Sequence, residues 1–152
     1  MTIKKVPTNH PDLLSLVDEL NQFFVAEWGE DTTLSYANHH NLDDMHAAFV
    51  AYENNVAIGC ACWKLRSDNL PEVKRMYVKS DYRGANVSGQ LLEEIETDIK
   101  KTGFDFSVLE TGSDMTQAIR FYEKQGYKIV PNFTEFIGDT LCVCLKKDLT
   151  KN

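Results

Sequence analysis

At 152 residues, 43% hydrophobic and 26% charged, the chain has the size and balance of one globular domain, residues 1–152, with a full core. A net charge of −7 argues against nucleic acid as a partner, which requires a concentrated positive face, and better suits a cationic small molecule or a basic peptide. No apolar run approaches the ~20 residues that span a bilayer, and "MTIKKVPTNHPDLL" shows no apolar signal region, so the expectation is a cytoplasmic protein with no membrane partner.

In chain order, residues 2–6 predict a short strand. Asn9 is placed to cap a helix that has Pro11 in its first turn. Leu13, Leu16, Val17, Leu20, Phe23 and Phe24 recur at helical spacing, which predicts an amphipathic helix over 10–28. The polar stretch 29–41, "GEDTTLSYANHHN", has no periodicity and reads as a loop or a broken helix, long enough to be functional. Two apolar runs then flank Glu53, Asn54 and Asn55, and asparagine accepts the left-handed conformations of a tight turn. The prediction is a hairpin with strands at 46–53 and 56–65.

After a loop, "RSDNLP", residues 72–79 read as a strand with a flaw. Val73 shares a face with Arg75 and Tyr77, whereas Met76 and Val78 lie on the other face, so the two-residue alternation breaks between 73 and 76. A β-bulge there restores one buried face. Helix 87–101 follows, then a strand at 104–110 and a helix at 114–125 capped by Ser113 or Asp114. "YKIV" and "TLCVCLKK" are the last two strands. This order predicts a mixed α/β (α+β) fold, with one parallel crossover, antiparallel hairpins and helices on both faces of the sheet.

Cys60/Cys62 and Cys142/Cys144 are Cys-x-Cys pairs on strands. Structural zinc sites favour two to four intervening residues at turns, so these read as small core residues in a reducing compartment. "RGANVSG", residues 83–89, begins like a Walker A loop, but Gln90 and Leu91 stand where Lys and Ser/Thr would grip a terminal phosphate and magnesium. An NTPase is therefore set aside. Between a strand and a helix, main-chain N–H groups and the positive helix end favour an anion. Gly84 and Gly89 admit close approach, and Arg83 adds charge. Such a loop suits a pyrophosphate that is held and not broken.

"EVKRMYVKSDYRGANVSGQLLEEIE" followed by "VLETGSDMTQAIRFYEKQGYKIV" resembles the GNAT family of N-acetyltransferases, well over residues 46–130 and in outline elsewhere. The resemblance implies a twisted, mostly antiparallel sheet of about seven strands with a bulged fourth strand and about four flanking helices. It implies acetyl-CoA as co-substrate, no metal, and acetyl transfer to a primary amine by direct attack in a ternary complex. The acceptor would be a small amine, amino acid, polyamine or peptide N-terminus. It places the diphosphate on Arg83, Gly84, Ala85, Asn86, Val87, Ser88 and Gly89, and the pantetheine arm on the backbone of Met76, Tyr77 and Val78. The family loop, Q/R-x-x-G-x-G/A, has Asn86 and Ser88 here where glycines are usual; backbone donors survive both changes.

By the same resemblance Tyr122 is the general acid at the cofactor sulfur and Glu72 the general base, with Glu110 as competitor. The N–H of Tyr77 or Val78 is the oxyanion donor. Glu27, Trp28, Glu30, Asp31, Tyr36, Phe133 and Phe136, with Glu110, offer acid and aromatic groups to an ammonium ligand. His39, His40 and His46 are weaker candidates. A homodimer accords with the family. A non-catalytic acyl-CoA-binding or protein-interaction module is the alternative, suggested by Asn86 and Ser88.

Overall fold

The structure, a computed structural model, describes residues 1–35 and 42–150, with the backbone alone for Trp28 and residues 30–35. Its strands are β1 (Thr2–Val6), β2 (Ala47–Glu53), β3 (Val56–Leu65), β4 (Pro71–Val78), β5 (Phe106–Gly112), β6 (Lys128–Val130) and β7 (Cys142–Asp148). The α-helices are α1 (Pro11–Ser35), α2 (Val87–Thr102) and α3 (Thr116–Lys124). The strands form one mixed sheet in the order β1-β2-β3-β4-β5-β7-β6. Pairing is antiparallel at β1–β2, β2–β3, β5–β7 and β6–β7, and parallel at β4–β5, where Glu72 lies opposite Val108.

By compactness the chain divides into two units, Met1–Leu65 with Val73–Ile95, and Arg66–Glu72 with Glu96–Asn152. The first is built on the hairpin. Asn54 and Asn55 have φ of 50° and 65° between the paired Glu53 and Val56, the two-residue turn whose twist matches antiparallel strands. Leu13, Leu16 and Val17 of α1 bury against Ala48 and Val50 of β2 and Cys60 and Cys62 of β3. Each such fully buried aliphatic contributes about 1.5–3 kcal/mol. Gly59, of opposite parity on β3, faces α2: a Cβ there would meet Leu91 Cδ1 and Val78 Cγ2 at 3.2 Å and the Tyr77 carbonyl at 3.0 Å. The two faces of β3 therefore carry different helices, as the alternation requires.

Helix α1 departs from expectation at both ends. His10 caps it, not Asn9: the His10 carbonyl accepts from Leu14 N–H at 3.0 Å and its Nδ1 accepts from Asp12 N–H at 3.1 Å. Beyond residue 28 the helix breaks at Gly29 (φ 82°, ψ 165°) and resumes to Ser35. Of the two readings of residues 29–41, the broken helix fits the described part. Among the described residues there are three α-helices, the first in two pieces, where about four were expected.

In the second unit, α3 begins later than expected. Met115 is its N-cap, with no side-chain cap, because the Ser113 hydroxyl donates instead to the Thr140 carbonyl at 2.8 Å. Its end is firmly closed. Gly126 has φ 100°, and Tyr127 N–H reaches back to the Tyr122 carbonyl at 3.0 Å, the bond of a Schellman motif. That bond fixes the backbone of Tyr122. All four cysteines are buried and reduced, as core residues should be.

Candidate active site

Between β4 and α2 the chain runs through a 3-10 turn, Ser80–Tyr82, into residues 83–86. Gly84 (φ 91°) and Asn86 (φ 61°) are both left-handed, a conformation that asparagine tolerates better than other residues with a Cβ. Asn86 sits just before α2, and its carbonyl accepts from Gln90 N–H at 3.2 Å. The N–H groups of Val87, Ser88 and Gly89 precede the first intrahelical donor, Gln90 N–H, as at any helix start. A Cβ on Gly89 would lie 2.2 Å from Asn86 Oδ1, so a bare α-carbon there lets the Asn86 side chain fold onto the helix end. Arg83 is exposed; its Nε donates to the Val78 carbonyl at 2.9 Å, and its guanidinium lies 5.8 Å from the Tyr77 ring centre.

The flaw read in β4 falls on Arg75, whose φ is 57°. A left-handed residue with a Cβ inside a strand costs on the order of 1–2 kcal/mol. Arg75 and Tyr77 both reach α1. Arg75 Nη2 donates to Asn21 Oδ1 and, at 3.5 Å, to the Val17 carbonyl. Burial lowers the pKa of its guanidinium. Tyr77 Oη donates to Glu19 at 3.1 Å, and burial, then Glu19, raise its phenol pKa.

Glu72 lies at the start of β4. It is 1% exposed. Its Oε1 is 3.5 Å from Arg66 Nη1. Arg66, 6% exposed, is the residue that sequence reasoning missed. Its Nε donates to Asp68 Oδ1 at 3.0 Å and its Nη2 to Glu135 Oε1. The guanidinium also lies 4.6 Å from the Phe133 ring centre. Burial opposes the Arg66 charge, but its hydrogen bonds to Asp68 and Glu135 and the field of Glu72 overcome this and raise its pKa. Arg66 in turn lowers the pKa of Asp68. An Arg in a polar loop gives little signal from sequence; the usable hint was two acids, Asp68 and Glu72, placed close behind it.

Tyr122 is 7% exposed. Its ring packs edge-on against Phe121 and Tyr127 at 5.0 and 5.7 Å. Burial raises its phenol pKa well above the ordinary value near 10, so the close match to a thiol expected from sequence is lost. Tyr127 is held by Ser107 at 2.8 Å and Glu96 at 3.0 Å.

The structure brings Phe133 to Glu72 through Arg66. Phe133 is buried and its N–H donates to Cys144 Sγ at 3.4 Å; Phe136 is buried as well. Glu110 is half-buried on β5, opposite Cys144. Glu27 is exposed on α1. His46 packs its ring on Trp63 with centres 4.2 Å apart. The side chains of Trp28, Glu30 and Asp31, and Tyr36, His39 and His40 altogether, lie outside the described residues. Among the described residues no cluster of three or more His, Cys, Asp or Glu could hold a metal ion.

Residues 13–127 match the sequence profile of the acetyltransferase (GNAT) family. The chain is 32% identical over 101 residues to the IAA acetyltransferase of Azospirillum brasilense, a match covering 66% of each protein. A Klebsiella pneumoniae protein assigned as an acyl-CoA N-acyltransferase has the same fold, with a TM-score of 0.79 at 22% identity over 97% of both chains. So has the PaiA N-acetyltransferase of Thermoplasma acidophilum, solved with coenzyme A, with a TM-score of 0.72 at 19% identity, covering 97% of this chain and 99% of that one. Seven strands among the described residues, a left-handed Arg75 within β4, a left-handed turn into α2 and this match over three quarters of the sequence lead to one assignment: the chain belongs to the acetyltransferase (GNAT) family.

Proposed function

We propose that the chain acts as a single N-acetyltransferase domain that moves an acetyl group from acetyl-CoA to a primary amine by direct attack. The observation that carries this reading is the turn 83–89, where left-handed Gly84 and Asn86 lead into the N-terminus of α2 directly after a strand that holds a left-handed Arg75. These features suit a diphosphate, with Arg83 beside it. The backbone of Met76, Tyr77 and Val78 is the candidate for the pantetheine arm and the oxyanion, although the Val78 carbonyl is engaged by Arg83.

When bound, acetyl-CoA supplies an activated acyl thioester. An amine acceptor arrives protonated, and Glu72 is the candidate to take its proton. Tyr122 remains a neutral phenol because burial disfavours its anion, so its Oη holds a proton to give. A thiolate that leaves in dry surroundings would itself become more basic, which would offset the raised pKa of the phenol. The acceptor proposed is an amino acid, a polyamine, a small amine or a peptide N-terminus. A reducing, cytoplasmic setting accords with four buried thiols, and a homodimer remains part of the proposal.

Titration calorimetry with coenzyme A, followed by thiol release from acetyl-CoA across a panel of spermidine, tyramine, lysine and an alanyl peptide, tests the reading. We expect binding that weakens about tenfold in Arg83→Ala, and acetylation of at least one amine. Binding without turnover on any amine favours the acyl-CoA-binding module. Absence of coenzyme A binding overturns both.

A further inference from the structure

We propose that Arg66 is the positioning residue of Glu72: one guanidinium shared among three carboxylates keeps Glu72 ionised and fixed, while Asp68 and Glu135 keep it basic. The inference rests on the reading of Glu72 as general base.

A carboxylate stripped of water favours its neutral form, and a neutral Glu72 takes no proton. A guanidinium at 3.5 Å reverses that preference. That guanidinium also serves Asp68 and Glu135. Three anions divide the charge of that guanidinium, and like charges make each carboxylate a better base. In the proposal, the two influences together leave Glu72 an anion that still accepts a proton.

Arg66 is held rigidly enough for this task. Its N–H donates to the Leu70 carbonyl and its own carbonyl accepts from Asn69 N–H, both at 2.9 Å, so the loop closes on itself. Phe133 supports one face of the guanidinium. A planar fork of five donors can serve three carboxylates together; a lysine ammonium has three donors and no plane. Other titratable groups act on the same centre. The Cys144 thiol on β7 is pushed up to about 11 by burial and by the nearby carboxylates of Glu110 and Glu72. It is therefore neutral at working pH. Glu110 on β5 adds negative charge from beyond Cys144, and Lys74 is the next residue of like parity on Glu72's own strand.

The test is a carbon-13 NMR titration of the glutamate carboxyls in the whole chain, with the Glu72 signal assigned by its loss in Glu72→Gln. It is run beside kcat/KM against pH for the best acceptor of the amine panel. In Arg66→Gln the Glu72 midpoint should rise by about one pH unit or more, and the acidic limb of the rate profile should rise with it. In Asp68→Asn and Glu135→Gln, a guanidinium with fewer anions to serve should lower the midpoint by a smaller amount. Arg66→Lys should fall between wild type and Arg66→Gln. A purely structural Arg66 would lower melting temperature and rate without moving the midpoint, which overturns the proposal. So does an upward shift in Glu135→Gln, a measurement that stands even where Arg66→Gln fails to fold. An acidic limb that persists in Glu72→Gln removes Glu72 as the base, while the NMR midpoints still judge Arg66 separately.

Discussion

Glu72→Gln should lower kcat/KM at pH 7 by about 10²-fold or more, the range for removing a positioned general base, and should erase the acidic limb of the pH profile. The sign follows from the role. Only ionised Glu72 takes a proton, so the wild-type rate climbs as pH rises through its midpoint, and a glutamine has no midpoint to cross. The substitution keeps shape and volume. Arg66 retains Asp68 and Glu135, so no cation is stranded in the interior, and the melting temperature should stay within a few degrees. Steady-state rates across pH 5–9 with a thermal melt check both parts. A rate within threefold of wild type at every pH would move the base elsewhere, with Glu110 on β5 next in line.

Tyr122→Phe should lower kcat by at least about tenfold and leave coenzyme A affinity within twofold, since removing one proton donor costs on the order of 10²-fold at most sites. Phenylalanine preserves the edge-on contacts with Phe121 and Tyr127 and leaves the Schellman bond to the Tyr122 carbonyl untouched. Loss of turnover would therefore report the hydroxyl alone. Pre-steady-state kinetics with calorimetry on the same variant separates the two quantities. Unchanged kcat would exclude Tyr122 from proton transfer.

Much of this fold is legible in the sequence because local physics and tertiary packing agree. The two apolar runs of β2 and β3 around two asparagines admit few other structures. The broken alternation between Val73 and Met76 marks the place where Arg75 turns left-handed, and Asn86 adopts the conformation its side chain permits. The readings that missed are those in which a distant partner decides. Ser113 has the chemistry of a helix cap but is claimed by Thr140. His10 caps α1 through its imidazole, a role no cap preference would give it. Residues 30–35 resume a helix after Gly29 without an apolar stripe to announce it. Arg66 lies in a polar loop, and only the approach of Glu135, 69 positions further along, makes it the centre of an ion network.

The placement of the sulfurs has a practical consequence. Cys60 and Cys62 lie in one compact unit and Cys142 and Cys144 in the other. Burial pushes the Cys62 and Cys142 thiols up to about 12 and those of Cys60 and Cys144 upward as well. A thiolate-seeking alkylating reagent at neutral pH should react with each pair only when its own strand opens. Mass spectrometry of the labelled peptides therefore times the opening of each half of the molecule with no engineered probe. Equal rates mean a single cooperative breathing event; unequal rates identify the half that loosens first.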